Sequence, residues 1–189
     1  MKLNNLKNPL FSITLLSFAF LFSACSMNKS PEVRRDDMTT EARLALTSLY
    51  DSSPGAKELG ANAKGTLVFP SIVKGGFIAG GHYGEGVLFT DDQIMGYYNS
   101  VAASWGLQAG LQEFGYVLFF MTDSDIKYLD SSDGWEIGVG PSITVIDQGL
   151  AASLSSTTAR KGIFAFFFDQ KGLMAGIGIQ GTKITKLDL

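Results

Sequence analysis

The chain has 189 residues, of which 46% are hydrophobic, and its 15 Lys and Arg residues against 18 Asp and Glu residues give a net charge of −3. This acidic balance argues against nucleic acid as a partner, because a phosphate backbone is bound by clustered positive charge. The single histidine and the single cysteine leave a zinc site short of ligands and exclude a disulfide within the chain.

The first 24 residues are predicted to be a lipoprotein signal peptide. Lys2 and Lys7 precede an apolar run, Leu10 to Phe22, which is too short to span a bilayer and is followed by small residues. The segment ends in LFSAC, which resembles the lipobox of bacterial lipoproteins and places Cys25 directly after the cut. The resemblance implies covalent acyl and diacylglycerol groups on Cys25, and we expect no other cofactor. The alternative is a plain secretory signal followed by an incidental cysteine.

Residues 25–38 are predicted to be the acylated cysteine and a flexible tether, because MNKSPEVRRDD is polar and contains a proline. Ser26, rather than aspartate, follows the cysteine, which in lipoproteins of two-membrane bacteria implies the outer membrane, facing the periplasm. Residues 1–24 hold two lysines and no acid, so the remaining chain has a net charge of −5. We expect one globular domain at residues 39–189.

Two short helices are predicted at the start of this domain. The first begins at Thr39 or Thr40 and ends near Tyr50, and its apolar residues recur on one face at Ala42, Ala45, Leu46 and Leu49. The second has Ser53 as its N-cap and Pro54 as its first helical residue, and it ends near Ala63. We expect both helices to cover the core, and the alternative is that the first lies on lipid.

From Thr66 onward the apolar pattern has a period of two, which predicts strands. Only TDSDIKYLDSSDG interrupts them, with Thr122 or Asp123 as the cap of one or two helical turns, so the sheet should be antiparallel. Hairpin turns are predicted at residues 91–93 and 169–172. The fold class is therefore α+β, with two short N-terminal helices before a mainly antiparallel sheet.

Pairs of glycines two residues apart recur on the predicted strands, at Gly84 and Gly86, Gly138 and Gly140, and Gly176 and Gly178. Residues two apart share one face of a strand, and a glycine there marks a bend, a bulge or a close backbone approach. We therefore expect a strongly coiled sheet or a small barrel. The GIGIQG at residues 176–181 has the spacing of a nucleotide-binding loop, but the eight residues after it are too few for that unit, so we expect no nucleotide.

No residues of this sequence have the spacing of a catalytic site. The sequence contains no G-x-S-x-G motif, which would supply a nucleophilic serine for His82 to activate. Ser71 to Lys74 matches the S-x-x-K motif of penicillin-binding enzymes, but the S-D-N and K-T-G motifs that accompany it are absent. The acidic cluster that begins at Asp123 does not match an EF-hand calcium loop, because its sixth residue is Tyr128 where that loop requires glycine. We expect a protein that is not an enzyme and binds no metal, and a hydrolase that uses Ser71 and Lys74 is the alternative.

The aromatic run FAFFF, at residues 164–168, allows two interpretations. Apolar side chains on both faces are typical of a strand that is buried on both sides. In the alternative, one face lines an apolar cavity for an acyl chain or is an exposed docking patch. The run VLFFM, at residues 117–121, allows the same two interpretations.

Four blocks of the domain, in this order, together resemble the SYLF domain family: AKGTLVFPSIVKGGFIAGGHYGEGVL (63–88), SWGLQAGLQEFGYVLFFMT (104–122), DGWEIGVGPSITV (133–145) and FAFFFDQKGLMAGIGIQGTKI (164–184). The resemblance covers essentially Thr40 to the C-terminus. Bacterial members of this family are mostly secreted or lipid-anchored single domains. Eukaryotic members are known for binding phosphoinositide membranes and, in fungal cases, actin filaments.

The resemblance implies an envelope lipoprotein whose domain binds membrane lipid and performs no chemistry. The alternative is a structural or protein-interaction module with a partner protein in the envelope. The basic residues inside or beside the matching blocks are the candidate lipid contacts, Lys74 first and then Lys161 and Lys171, with Arg43 on the first helix. Actin binding is not carried over, because actin is not available to a bacterial envelope protein.

Overall fold

The computed structural model describes residues 30–76, 79–105, 110–131, 134–146, 162–172 and 181–189. The chain divides into the units Met1–Ser30 and Pro31–Leu189, and the second unit contains all the helices and strands described below. Cys25, Lys161 and the pair Gly176 and Gly178 lie outside the described residues, as do the predicted signal peptide and the first part of the tether.

Three helices and eight strands form the described part of the second unit. The helices are α1 (Pro31–Ser52), α2 (Pro54–Asn62) and α3 (Asp123–Ser131). The strands are β1 (Gly65–Gly76), β2 (Ala79–Thr90), β3 (Gln93–Trp105), β4 (Gly110–Phe120), β5 (Trp135–Glu136), β6 (Ile143–Ile146), β7 (Ile163–Gly172) and β8 (Lys183–Leu187). The predicted α+β class is confirmed.

Helix α1 begins eight residues before the predicted start, so residues 31–38, which we expected to belong to the flexible tether, are helical. Proline is favoured in the first turn of a helix. Contacts with distant parts of the chain stabilise the first turns of α1. Arg34 forms an ion pair with Glu85 on β2, and Arg35 Nη1 donates to the Leu189 carbonyl at 3.1 Å. Thr39 does not cap the helix, and its hydroxyl donates to the Arg35 carbonyl at 2.7 Å.

The starts of α2 and α3 agree with the sequence prediction. The Ser53 hydroxyl accepts a hydrogen bond from the Ala56 backbone N–H at 3.3 Å, and Pro54 is the first helical residue. Thr122 Oγ1 accepts from the Asp125 N–H at 3.4 Å, and α3 then runs for nine residues. Both caps satisfy backbone donors that the first turn of a helix leaves unpaired.

The eight strands form one sheet in the order β5-β8-β3-β2-β1-β4-β7-β6, antiparallel except for the parallel pair β6 and β7. The short strands β5 and β6 lie at opposite edges of this sheet, although just six residues, 137–142, join them. An extended link of that length spans about 25 Å at most, whereas a flat sheet of this width has edges about 33 Å apart. The sheet must curl, and it forms a half-barrel, which confirms the predicted coiled sheet.

Both faces of the sheet carry a hydrophobic core. On the outer face, α1 and α2 pack against residues such as Val68, Val87, Val117, Phe119, Phe164 and Phe166. On the inner face, Leu67, Leu88, Tyr116, Leu118, Phe120 and Ala165 pack together with Leu129 of α3. The runs FAFFF and VLFFM are therefore strands that are buried on both sides along most of their length, as expected.

The apolar stripe of α1 faces this outer core. Ala42 and Leu49 are buried there, and Ala45 and Leu46 pack against the same cluster. The prediction that the helix covers the core is confirmed, and these residues are not exposed to lipid. Within the described part of the chain, no helix is long and apolar enough to cross a bilayer.

The glycines confirm the prediction in part. The register of β1 against β2 shifts between Val68 and Ser71, and a Cβ on Gly86 would lie 2.5 Å from the Val68 carbonyl oxygen, so glycine permits a close backbone approach at this bulge. The placement of Gly138 and Gly140 on a strand was wrong: their φ values of +107° and +104° place them in the turns between β5 and β6.

One of the two predicted hairpin turns is confirmed. Asp91 and Asp92, with φ of +48° and +61°, join β2 to β3. The turn predicted at residues 169–172 was wrong, because these residues lie inside β7. Gly115 pairs with Phe168 and Glu113 pairs with Lys171, so two residues of β7 stand opposite one of β4, and the segment is a β-bulge with Asp169 at φ +50°.

Candidate functional site

The half-barrel has two different ends. We call the end with α2, α3 and the β2–β3 turn the proximal end, and the end at which β1 leads to β2 and β3 leads to β4 the distal end. Burial falls from one to the other along single strands: residues 65–69 of β1 are all buried and Val73 is exposed, while residues 114–120 of β4 are buried and Leu111 is exposed. On β1 and β4, the exposed apolar side chains therefore lie at the distal end.

Four apolar side chains are exposed on the outer face at the distal end, and we call them the outer patch: Val73, Tyr83, Val101 and Leu111, each between 41% and 69% exposed. Val73 on β1 pairs with Tyr83 on β2, which pairs in turn with Val101 on β3, so three of them form one row across the sheet. Leu111 on β4 pairs with Gly75, two residues beyond Val73. Residues that pair across antiparallel strands share a face.

The outer patch borders the first turns of α1. A cleft of about 250 Å³ separates the helix from the patch, and it is lined by Met38 and Glu41 on the helix side and by Pro70, Ser71, Val73, Tyr83, Gly84 and Glu85 on the sheet side. Apolar groups and two carboxylates therefore meet at the place where the helix begins to cover the sheet.

An ion pair holds the start of α1 in this position. Arg34 Nε donates to Glu85 Oε2 at 3.3 Å, Arg34 Nη2 donates to Oε1, and the Tyr83 hydroxyl also donates to Oε1. Burial raises the pKa of Glu85, but the hydrogen bonds from Arg34 and Tyr83 outweigh it, and the pKa lies below its ordinary value. Burial, together with the bond to Glu85, raises the pKa of Tyr83 to about 12. Glu85 is therefore ionised, and Tyr83 is neutral, near pH 7.

The inner face of the distal end carries a chain of polar side chains. Tyr116 donates from its hydroxyl to Ser100 Oγ at 2.8 Å, and Ser100 Oγ lies 3.2 Å from Nε2 of the buried His82. The His82 ring also meets the Phe114 ring edge-on, with centroids 6.3 Å apart. Burial, and then the charge of Lys74, lower the pKa of His82 to about 4. His82 is therefore a neutral, structurally held group at pH 7.

The three candidate lipid contacts that the structure describes, Lys74, Arg43 and Lys171, do not form one basic patch. Lys74 lies half-buried on the inner face, since it pairs with His82 and Gln112, both of which are buried there. Arg43 lies at the proximal end, where Nη2 donates to the Asp92 carbonyl at 2.9 Å and the guanidinium stacks 4.9 Å from the centre of the Phe89 ring. Lys171 is exposed on β7, paired with Glu113.

The arrangement needed for the alternative hydrolase is not assembled. Ser71 Oγ donates to Glu113 Oε1 at 2.9 Å on the outer face, whereas Lys74, three residues on, lies on the inner face. Alternate residues of a strand point to opposite sides, so these two side chains are separated by the sheet. In the part of the chain that the structure describes, no group of three His, Cys, Asp or Glu residues is close enough to hold a metal ion.

The outer patch was not found from the sequence. Val73, Tyr83 and Val101 alternate with inward-facing residues in the same way as the core residues earlier in their strands. The available signal is local: three of the four residues lie in glycine-rich parts of their strands, Val73 in SIVKGG, Tyr83 in AGGHYG and Leu111 in GLQEFG. Period-two alternation by itself cannot tell a covered outer face from an uncovered one.

Comparison with protein families gives a match to the second half of the chain. Residues 101–188 match the model of the family described as Ysc84, Las17-binding protein actin regulator. The matched segment begins inside β3 and includes all of β4 to β8, with Leu111 of the outer patch and Gln112 and Tyr116 of the inner face. No curated protein sequence matches the chain significantly.

Proposed function

We propose that this chain is a membrane-anchored envelope lipoprotein whose domain binds membrane lipid and performs no chemistry. The chain belongs to the SYLF domain family, which is the family that the Ysc84 model describes. The observation that carries this proposal is the outer patch, an apolar surface on a folded domain beside the place where a lipid anchor would join it. The lipobox-like LFSAC before Ser26 supplies the anchor. The proposed location is the outer membrane, facing the periplasm.

The tether keeps the domain close to the bilayer. Five residues, 26–30, separate Cys25 from the first residue of α1. Even fully extended, such a link spans about 20 Å. An acylated Cys25 would therefore hold the first turn of α1 within that distance of the membrane surface, and the domain could reach lipid without a further targeting signal.

The direction of α1 brings the outer patch toward the anchor. The helix begins beside Glu85 and Tyr83, at the edge of the patch, and runs toward Asp92 at the proximal end, where Arg43 binds. The N-terminal end of α1 therefore points to the distal end of the sheet. Transfer of half-exposed apolar side chains into the membrane interface contributes on the order of 1 kcal/mol each, and the amphipathic Tyr83 ring suits that region.

Flotation with phospholipid vesicles tests lipid binding apart from acylation. Residues 27–189, which lack Cys25, should float with vesicles of mixed phospholipids, and Leu111→Asp should abolish most of the binding, because it places a charge in the apolar contact. Leu44→Asp is the matched control: Leu44 is 67% exposed on α1, as Leu111 is 69% exposed on β4, but it lies outside the patch. No flotation with any composition, or equal losses in both variants, would count against the proposal.

The anchor needs its own test. Cells grown with labelled palmitate should incorporate the label into this polypeptide, and Cys25→Ser should remove it, because Cys25 is the only cysteine. If the wild-type polypeptide carries no label, the proposed acylation of Cys25 is wrong. Lipid binding by the domain would then be judged from the flotation experiment.

The alternative, an interaction module of the envelope, is favoured by the cleft between α1 and the patch, which would also accept an apolar segment of a protein. A photo-crosslinking residue at position 111 distinguishes the two in the native envelope. Lipid binding predicts adducts with phospholipid alone, whereas the interaction module predicts a discrete protein adduct. The actin regulator named in the family description is not carried over, because an envelope protein does not meet actin.

A further inference from the structure

Carboxylates surround the cleft between α1 and the outer patch. Glu41 lines the cleft from the helix side and Glu85 from the sheet side, and none of the described residues that line it is Lys or Arg. Glu113 lies at its edge, because it pairs on β4 with Val73. Since β1 lies between β2 and β4, Glu85 and Glu113 flank it from both sides, roughly 10 Å apart across the sheet. Lys171 pairs with Glu113 from β7, on the side away from the cleft.

Two of these three carboxylates have no cationic partner on the cleft side. Arg34 binds Glu85. Glu41 forms no hydrogen bond or ion pair with any residue that the structure describes, and Glu113 accepts a hydrogen bond at 2.9 Å from the uncharged hydroxyl of Ser71. Carboxylates are ionised near pH 7, so the surface around the cleft is negatively charged.

Apolar side chains lie between these carboxylates. Val73 and Tyr83 are 49% and 48% exposed, and Met38 and Pro70 complete the wall of the cleft. A Lys or Arg side chain matches such a surface, because its methylene stem covers apolar groups while its charged head group reaches a carboxylate. A purely apolar ligand would take the carboxylates out of water without giving them a partner.

The chain itself places one such side chain at the edge of the cleft. Arg34 Nε donates to Glu85 Oε2 at 3.3 Å and Nη2 donates to Oε1, and the Tyr83 hydroxyl donates to the same carboxylate. Glu41 follows Arg34 by seven residues, which is two turns along the same face of α1, or about 10 Å. One position for a cation is therefore filled from within the chain, and a second, at Glu41, is left for another molecule.

We propose that the cleft binds a segment of a partner protein in which Lys or Arg residues alternate with apolar residues. A basic head group would pair with Glu41 or Glu113, and its apolar neighbours would pack on Val73 and Tyr83. Charge decides against other occupants: the chain without its signal peptide has a net charge of −5, so a second copy is repelled, and an anionic lipid surface would meet carboxylates. The inference goes beyond lipid binding, because it needs neither a bilayer nor a lipid anchor.

Fluorescence anisotropy tests the docking, with the full-length chain in micelles of a non-ionic detergent and labelled hexapeptides as probes. The wild type should bind a peptide of alternating leucine and lysine, and it should not bind the peptide in which glutamate replaces lysine. Glu41→Lys should weaken binding about tenfold or more, because it turns an attraction into a repulsion. Glu58→Lys, the same change at an exposed residue of α2 outside the cleft, should weaken binding by less than about twofold. Equal affinities in the two variants, or equal binding of the two peptides, would overturn the inference.

Methyl NMR of the unaltered chain locates the bound peptide. The methyl signal of Met38, which lines the cleft, should shift when the leucine–lysine peptide is added, and that of Met95, which is 50% exposed at the start of β3, should not. A Met38 shift on dilution of the chain alone would assign the cleft to a second copy, and a shift caused by phosphatidylglycerol vesicles but not by the peptide would assign it to lipid. Either result would overturn the inference. This measurement needs no variant, so the test stands if Glu41→Lys fails to fold.

Flotation separates this inference from the proposed function. Leu111→Asp alters the outer patch but no residue that lines the cleft, so it should abolish flotation and leave the affinity for the peptide within about twofold. Glu41→Lys should lose the peptide and float with mixed phospholipids as the wild type does. Peptide binding without flotation keeps the inference and refutes the proposed lipid binding, whereas flotation without peptide binding does the reverse.

Discussion

The proximal and distal halves of the same strands have different surroundings. At the proximal end, β1 and β4 are buried on both faces, under α1 and α2 outside and together with α3 inside. At the distal end, the outer face exposes Val73 and Leu111, and the inner face carries Lys74, His82 and Gln112. The proximal half of each strand therefore contributes mainly to stability, and the distal half offers surface for binding. The boundary between the two halves lies where the helices cease to cover the outer face.

The largest expected effect comes from opening a cavity in the proximal half. Phe119→Ala should destabilise the domain by about 3–5 kcal/mol, because Phe119 is fully buried and stacks on Tyr50 of α1, with centroids 6.4 Å apart. Leu111→Ala, at the other end of the same strand, should stay within about 0.5 kcal/mol of wild type. Urea unfolding followed by circular dichroism measures both. Similar losses of unfolding free energy in the two variants would contradict the distinction between a stabilising proximal half and an exposed distal half.

The distal inner face should show a pH dependence of stability that comes from His82. The pKa of His82 is lowered to about 4 from an ordinary 6.5, so the unfolded chain binds more protons between these values. Stability from this residue is full above pH 6.5 and is lost as the pH falls toward 4, by roughly 2–3 kcal/mol. His82→Gln should flatten the curve of unfolding free energy against pH in this window. An unchanged slope in the variant would show that His82 does not titrate in this way.

A smaller effect is expected where the two halves meet. Gly86→Ala should cost roughly 1–3 kcal/mol, because the added methyl would meet the Val68 carbonyl and the Phe69 ring at the bulge of β1. Gly75→Ala, in the distal half, should be tolerated, since its nearest contact is Leu111 Cδ1 at 3.4 Å. Thermal unfolding compares the two. If Gly75→Ala is as damaging as Gly86→Ala, the distal sheet is packed more tightly than its exposure indicates.

Features that depend on neighbouring residues were predicted correctly. The caps at Ser53 and Thr122 and the turn at Asp91 and Asp92 are set by the side chains and backbone of the residues themselves. The early start of α1 was missed, because its partners Glu85 and Leu189 are distant in sequence. The turn assigned to residues 169–172 was missed for the same reason, since the pairing of β7 with β4 makes that segment a bulge.

The sequence alone determined the α+β class, the coiled antiparallel sheet and strands that are apolar on both faces, because periodicity and glycine spacing are properties of short segments. The tertiary structure decided which half of each strand the helices cover, and therefore where the outer patch lies. It also decided that Lys74 joins His82 and Gln112 while Ser71 faces the other way. Register and curvature arise from contacts between distant strands, and no single segment contains that information.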